Sequence, residues 1–362
     1  MFAERTPFPL ISGAKMSMLH CAFILFQRRT TGCRLPKTTN QDQLGWLQGV
    51  LLGILLCVTA PAHANDASAQ LDANGIRLVQ TYDIALDVED LYISPERVKI
   101  HYEFINKSEF DKNILVAFPV PEIDADTEAN YNIDPKDPIN FLDFSIIVNG
   151  RKIEPQVEIK LTANGVDFTE TLLAHGVPLN RFEDDYYDNM ENMSQDNLRA
   201  LAQEGLVDWT PGESYFTPKW KMKATFYWQQ TFPAQSRTII DHSYRPVAGV
   251  SIFSEEYGLN QSVERYCIEP SFRRAFQRKV AQSGHNEMLA HEVRYILQTA
   301  NTWLGPIRDF RLVIDKLKPS NLVSLCINGI SKIAPTQFEV RAQNYVPKHD
   351  LEILVVEQPA WD

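Results

Sequence analysis

The run Val88–Ile123, VEDLYISPERVKIHYEFINKSEFDKNILVAFPVPEI, decides the fold class. From Arg97 to Phe104 polar and apolar residues alternate. Arg97, Lys99, His101 and Glu103 share one face; Val98, Ile100, Tyr102 and Phe104 share the other. A period of two is that of a half-buried strand. Asn106-Lys107-Ser108 has turn chemistry, and Ile114–Phe118 reads as a second strand, so the run predicts a hairpin. Pro119-Val120-Pro121 then ends the ladder, because proline has no amide to donate.

Working outward, Ile76 and Leu78, then Ile84, Leu86 and Val88, alternate and predict one or two strands before the run. After it, Asp124 to Asn140 is acidic, contains Pro135 and Pro138, and reads as a loop. Phe144–Asn149 is a strand that ends at Asn149-Gly150, the best two-residue hairpin turn in the chain. Ile153, Val157, Ile159 and Leu161 continue the sheet, and Asn164-Gly165 turns again. Short strands at regular spacing predict a β-sandwich over residues 65–168.

Composition changes near residue 170. Ser194 is placed to cap a helix, Leu198, Leu201 and Ala202 form its apolar stripe, and Gly205 terminates it. Residues 169–215 therefore read as a small helical insertion. Strand patterning resumes in a C-terminal β-rich domain, 216–362. Trp220, Met222, Ala224, Phe226 and Trp228 alternate with Lys219, Lys221, Lys223, Thr225 and Tyr227. Arg237–Tyr244 is expected to return as the partner of that strand. Ser271 is expected to cap a helix, Phe272–Ala281, and four more strands fall at Val293–Leu297, Phe310–Ile314, Val323–Ile327 and Phe338–Val340. The predicted class is mainly β (α+β): two β-sandwich-like units with a small helical insertion.

The first 64 residues differ from the rest. They carry six Lys/Arg and two Asp/Glu, against 29 Lys/Arg and 44 Asp/Glu in the remaining 298 residues, a net charge of −15. So acidic a body is repelled by nucleic acid and by anionic lipid. Leu44–Ala60 has no charge, is preceded by Arg28, Arg29, Arg34 and Lys37, and is followed by Ala62-His63-Ala64. Basic, apolar, small is the layout of a secretory signal peptide. Cleavage between Ala64 and Asn65 is expected, with no stable membrane span in the mature chain. An uncleaved anchor is the alternative, since the apolar run is just long enough to span. So long a leader also leaves room for a start downstream of Met1.

Cys21, Cys33 and Cys57 leave with the leader. Cys267 and Cys326 remain, an even pair in an exported chain, and are expected to form a disulfide. Two buried free thiols are the alternative.

No catalytic, cofactor or metal residue can be named. The chain lacks H-E-x-x-H, G-x-S-x-G, a P-loop and G-x-G-x-x-G, and its eight histidines are scattered. Asp124, Asp126, Glu128 and Asn130 begin like a calcium loop, but Ala129 stands where glycine is needed and Pro135 where glutamate is needed. Irregular calcium binding there, or at Glu183, Asp184, Asp185 and Asp188, competes with solvated acidic loops. Glu89-Asp90 and Glu255-Glu256 are carboxylate pairs expected to face solvent or cap turns. Trp220, Tyr227, Trp228, Trp303, Tyr186 and Tyr187 could stack on a sugar or peptide, although Trp220 and Trp228 share a strand face that suits the core.

Several blocks together resemble an uncharacterised family of exported bacterial proteins, domain of unknown function 4424. They are Glu89–Ser94, Val98–Asn106, Ala117–Pro121, Tyr227–Pro233, Tyr266-Cys267, Trp303–Ile307, Phe310–Lys316 and Val323–Cys326. The resemblance covers nearly all of 65–362 and implies a bacterial, extracytoplasmic, mostly β protein. It transfers no activity. Residues 90–165 are more loosely similar to the β-sandwich module at the front of inter-alpha-trypsin inhibitor heavy chains, an analogy of fold alone. The expected role is a non-enzymatic binding or structural component of the bacterial envelope, periplasmic or secreted, without a cofactor, whose partner is an envelope protein or a glycan. The alternative is a secreted hydrolase that uses two carboxylates on glycan or cell-wall material.

Overall fold

A computed structural model describes residues 67–72, 75–126, 130, 131, 133 and 137–358. The expected cleavage site at Ala64 and Asn65 lies outside them. The protein is mainly β with a small helical part. It opens with β1 (Ala67–Asp72) and β2 (Gly75–Leu78), then the long strands β3 (Ile84–Ile93), β4 (Val98–Asn106) and β5 (Lys112–Pro119). Shorter strands follow: β6 (Ile123–Asp124), β7 (Ser145–Val148), β8 (Arg151–Ile153), β9 (Gln156–Ala163) and β10 (Val166–Asp167). Three helices, α1 (Thr169–Ala174), α2 (Tyr186–Glu191) and α3 (Gln195–Gln203), make the insertion, which ends in the ribbon β11 (Val207–Trp209) and β12 (Phe216–Pro218). The chain continues through β13 (Lys221–Phe232), β14 (Arg237–Tyr244), β15 (Ala248–Phe253), α4 (Pro270–Ser283) and β16 (Met288–Tyr295). After a 3-10 turn, Gln298–Thr302, come β17 (Ile307–Asp315), β18 (Leu322–Leu325), β19 (Ser331–Lys332), β20 (Gln337–Tyr345) and β21 (Leu351–Glu357).

Two large sheets face each other. One runs β10-β9-β13-β5-β1-β2, with β6 also on β13; the other runs β19-β20-β17-β3-β4-β14-β7-β8. Their inner faces meet in aromatic contacts: Phe104 on Phe232 at 5.7 Å between ring centroids, Phe118 on Tyr244 at 5.2 Å, and Trp228 on His242 at 5.5 Å. The alternation read from the sequence sets these faces. Val98, Ile100, Tyr102 and Phe104 are all buried, as are Met222, Ala224, Phe226 and Trp228. Truncating one such ring to alanine costs about 3–5 kcal/mol.

The expected hairpin at Asn106–Ser108 is an arch. β4 pairs with β3 and β14 in one sheet, while β5 pairs with β13 and β1 in the other. The Asn106 side chain holds the crossing. Its Nδ2 donates to the carbonyls of Phe110 and Phe232, each at 2.9 Å, and its Oδ1 accepts from the Ser108 amide at 2.9 Å. In the same way β14 does not return beside β13; it crosses to β4 and β7. Alternation fixes which face of a strand is buried but not which strand lies next to it. Strands from both sides of the helical insertion therefore share each sheet: β13 lies between β5 and β9, and β17 pairs in parallel with β3. The expected units 65–168 and 216–362 are interleaved, and the described residues form one compact unit.

A third sheet, β15-β16-β21-β18, packs on both faces of its central strands β16 and β21. One face contributes Val293, Tyr295, Ile353 and Val355 to the main core. The other contributes Ala290, Leu354 and Val356 to a second cluster with Phe272 and Phe276 of α4. The continuous apolar run Ile353–Val356 has this cause: both faces of β21 are covered. The helix α4 begins at Pro270 with Glu269 as its N-cap, so Ser271 is not the cap. Proline suits the first helical position, where its missing amide would have been unsatisfied anyway. Ser194 does cap α3, accepting from the Asn197 amide at 3.2 Å. Asn149-Gly150 and Asn164-Gly165 adopt positive φ and turn β7 into β8 and β9 into β10 as expected.

The alternation Ile84, Leu86, Val88 breaks at a bulge. The register of β3 on β4 shifts between Leu86 and Val88, so Glu89, not Val88, enters the core. The extra residue, Asp87, takes the Arg308 guanidinium at 2.5 and 2.9 Å. That bond, the largest influence on it, holds the Asp87 carboxyl below the usual carboxylate range.

Candidate functional site

Where β5 gives way to β6, the ladder on β13 is interrupted rather than ended. Pro119 is opposite Thr225, the Val120 amide donates to the Ala224 carbonyl at 2.9 Å, and pairing resumes with Ile123 opposite Met222. Pro121 and Glu122 are thus left out of register opposite Lys223. Pro121 has no amide to donate, and Arg294 Nη2 captures the Glu122 carbonyl at 2.8 Å. The displaced Pro119–Glu122 segment forms one wall of a cleft of about 250 Å³. The end of β16 (Arg294, Tyr295) with Ile296, and the start of β21 (Leu351, Glu352) with Asp350, form the rest. The cleft lies where the third sheet meets the sandwich.

Its charges are not equivalent. Asp350 accepts from the amides of Leu297 and Gln298 at 2.9 and 3.1 Å, capping the 3-10 turn. Glu352 accepts from Arg265, whose guanidinium also reaches Glu292 at 3.1 Å and lies 4.9 Å from the Tyr266 ring centroid. Burial opposes the charge on Arg265, but the bond to Glu352 outweighs it and holds the guanidinium above its usual value. Two carboxylates are therefore already engaged. The two cations that line the cleft, Lys223 and Arg294, form no ion pair among the described residues. Glu122 adds a third carboxylate to the rim.

Behind the cleft Tyr295 is buried. It donates to Glu89 at 3.4 Å and is 3.1 Å from the Tyr102 hydroxyl. Burial, with the Tyr102 and Glu89 oxygens beside it, pushes the Tyr295 phenol far above its ordinary value. Glu89 was expected to face solvent or cap a turn; the bulge at Asp87 turns it inward, where it is fully buried. Asp90 faces outward and takes Arg311 at 3.0 Å.

The other singled-out residues lie apart from the cleft. Trp220, Trp228, Trp303 and Tyr186 are core residues. Tyr227 packs beside a small apolar patch of Leu115 and Ala117, and Tyr187 is exposed with its edge toward Tyr186. The carbonyls of Asp124 and Asp126 accept from the buried guanidinium of Arg181, so a side-chain cation already occupies those oxygens. Glu128 lies outside the described residues. Among the described residues no three His, Cys, Asp or Glu side chains are grouped to hold a metal. Glu255 accepts from Arg273 and Gln277.

Of the histidines, His101 stands on the outer face between Asp241 at 2.7 Å and Glu103 at 3.5 Å. His242 is wholly buried among Tyr102, Phe118, Phe144 and Trp228. Cys267 and Cys326 are joined, 59 residues apart in sequence. The bridge pins the segment that carries Arg265 to the end of β18, one sheet element away from Glu352.

The sequence did not point to Lys223, Arg294, Glu122, Asp350 or Glu352. Lys223 looks like any outward residue of an alternating strand. The one local signal was Pro119-Val120-Pro121, two prolines inside an apolar run, which can mean a displaced strand segment as well as a strand end.

A mainly β chain with one disulfide and a charged cleft between its third sheet and its sandwich is the class of protein these features define. The chain belongs to the family described as domain of unknown function (DUF4424), whose model matches residues 64–354. No curated protein matches it. A solved structure from Legionella pneumophila, whose description proposes nutrient binding, is similar at 14% identity. The match covers 76% of this chain and 68% of that one with a TM-score of 0.40.

Proposed function

We propose that the protein is an exported, non-enzymatic binding component of the bacterial envelope, and that it binds in the cleft beside Lys223. One observation carries this reading. Asp350 and Glu352 are committed to backbone amides and to Arg265, while Lys223 and Arg294 have no carboxylate partner among the described residues. Such a site offers fixed charge for recognition and no carboxylate pair set aside for proton transfer. The basic, apolar and Ala-x-Ala order of the first 64 residues supports export. The single disulfide supports maturation in an oxidising compartment. Among the described residues no helix is long and apolar enough to cross a membrane.

The test is to express the full chain in a Gram-negative host, release the periplasm and measure the mass of the purified protein. The reading expects an N-terminus at Asn65 and no free thiol. Recovery only from the cytosol, with the leader and two thiols intact, contradicts it.

A further inference from the structure

The cleft admits a more specific reading, which rests on its being the binding site. We infer that it takes a small aliphatic molecule bearing one carboxylate. Lys223 and Arg294 hold the carboxylate, and Pro119, Val120, Ile296 and Leu351 contact the apolar body.

Charge decides the sign of the ligand. The body of the protein has a net charge of −15, against which a cleft lined by two cations without ion pairs among the described residues stands out. Even the flanking lysines are paired: Lys221 with Asp124 at 3.2 Å and Lys160, opposite Lys223 on β9, with Asp167 at 3.1 Å. Lys223 and Arg294 form no ion pair among the described residues, and both line one concavity. Among the described residues Arg294 commits only Nη2, to the Glu122 carbonyl, which leaves its other N–H groups to donate. A guanidinium and an ammonium that line one cleft suit a carboxylate, which accepts at both oxygens.

Charge also limits the ligand. Glu122, Asp350 and Glu352 also line the cleft, and a dianion such as phosphate would face all three. A monoanion is repelled less, and a donor group on it can reach Glu122. Size gives the second limit. A cleft of about 250 Å³ has room for about eight waters at the volume each occupies in the liquid. The ligand therefore has on the order of ten non-hydrogen atoms. The prolines, Val120 and Leu351 offer no hydrogen-bonding side chain, so the part away from the carboxylate is aliphatic.

Isothermal calorimetry on the mature disulfide-bonded protein tests this with three probes: 4-methylpentanoate, isopentylamine and inorganic phosphate. Lys223→Glu and Lys223→Arg are compared with the parent, and circular dichroism confirms that each variant is folded. The inference expects saturable binding of 4-methylpentanoate alone, weakened at least tenfold by Lys223→Glu and less by Lys223→Arg. Binding of phosphate that Lys223→Glu abolishes, or of isopentylamine that Lys223→Glu strengthens, in place of the carboxylate overturns the ligand class and leaves the cleft as the binding site. Carboxylate binding that Lys223→Glu leaves unchanged overturns the site itself. No binding of any probe overturns the ligand class; protection of Lys223 by envelope extract then decides whether the cleft still stands as a binding site.

Discussion

The Tyr295 phenol donates to the Glu89 carboxyl at 3.4 Å and so ties β16 of the third sheet to β3 of the sandwich, directly behind the cleft. Both groups are buried. Replacing Glu89 with leucine removes the acceptor and leaves buried hydroxyls to be satisfied, at roughly 1–3 kcal/mol. Glu89→Gln keeps an acceptor and costs less. Urea denaturation of both variants checks this; a leucine variant as stable as the parent contradicts it.

His242 and His101 lie on β14 and β4 and respond to pH in opposite senses. Burial lowers the pKa of His242 to about 3. Its ordinary value is about 6.5, so its contribution is complete above pH 6.5 and is lost as the pH falls toward 3, where the unfolded chain takes up a proton that the folded one refuses. His242→Phe places another ring among Tyr102, Phe118, Phe144 and Trp228. Between pH 7.5 and 4.5 the variant should gain about 2 kcal/mol on the parent. Parallel pH profiles would speak against it.

At His101 burial disfavours the proton, but the Asp241 and Glu103 carboxylates outweigh it and raise the pKa. Asp241 and Glu103 are the groups that face the ring, and Glu103 also takes Arg237 at 2.5 Å. A raised pKa gives stability that is fully present below about pH 6.5 and disappears as the pH rises through the folded value. His101→Gln should therefore lower Tm more at pH 5.5 than at pH 8.5. Equal deficits at the two pH values contradict this.

The Cys267–Cys326 bridge closes a loop of 59 residues. Loop-closure entropy of that length is worth about 4 kcal/mol. Reduction, or the double change Cys267→Ser with Cys326→Ser, should lower the denaturation midpoint accordingly. It should also loosen the segment that carries Arg265, so that Glu352 loses its partner and the cleft becomes more acidic. Weaker capture of a carboxylate by the reduced protein is the accompanying readout. An unchanged midpoint argues that the loop is held without the bridge.

Strand by strand, the sequence was a good guide to burial and a poor guide to pairing. The faces of Val98–Phe104 and Lys219–Trp228 were legible because a half-buried strand must alternate. The turns at Asn149-Gly150 and Asn164-Gly165 were legible because positive φ favours those residues. The arch at Asn106 was not, since its cause is a side chain that bonds Phe110 and Phe232, the latter 126 positions away. Glu89 was misread because one extra residue, Asp87, reverses the parity of β3, and Arg308 from a distant strand stabilises it there. β21 was missed because a strand covered on both faces has no alternation to see. The cleft was invisible for a related reason: it gathers Lys223, Arg294 and Glu122 from three separate segments.

Site-resolved labelling of lysines reports on whether a ligand covers Lys223. The purified mature protein is treated with an amine-reactive acetylating reagent, alone and in the presence of small-molecule extract from the bacterial envelope, and each lysine is quantified by mass spectrometry. Lys223 should be modified in the protein alone and protected by the extract, while Lys152, exposed and paired with Glu154 at 2.7 Å, is modified equally in both. Equal modification of Lys223 with and without extract would contradict it.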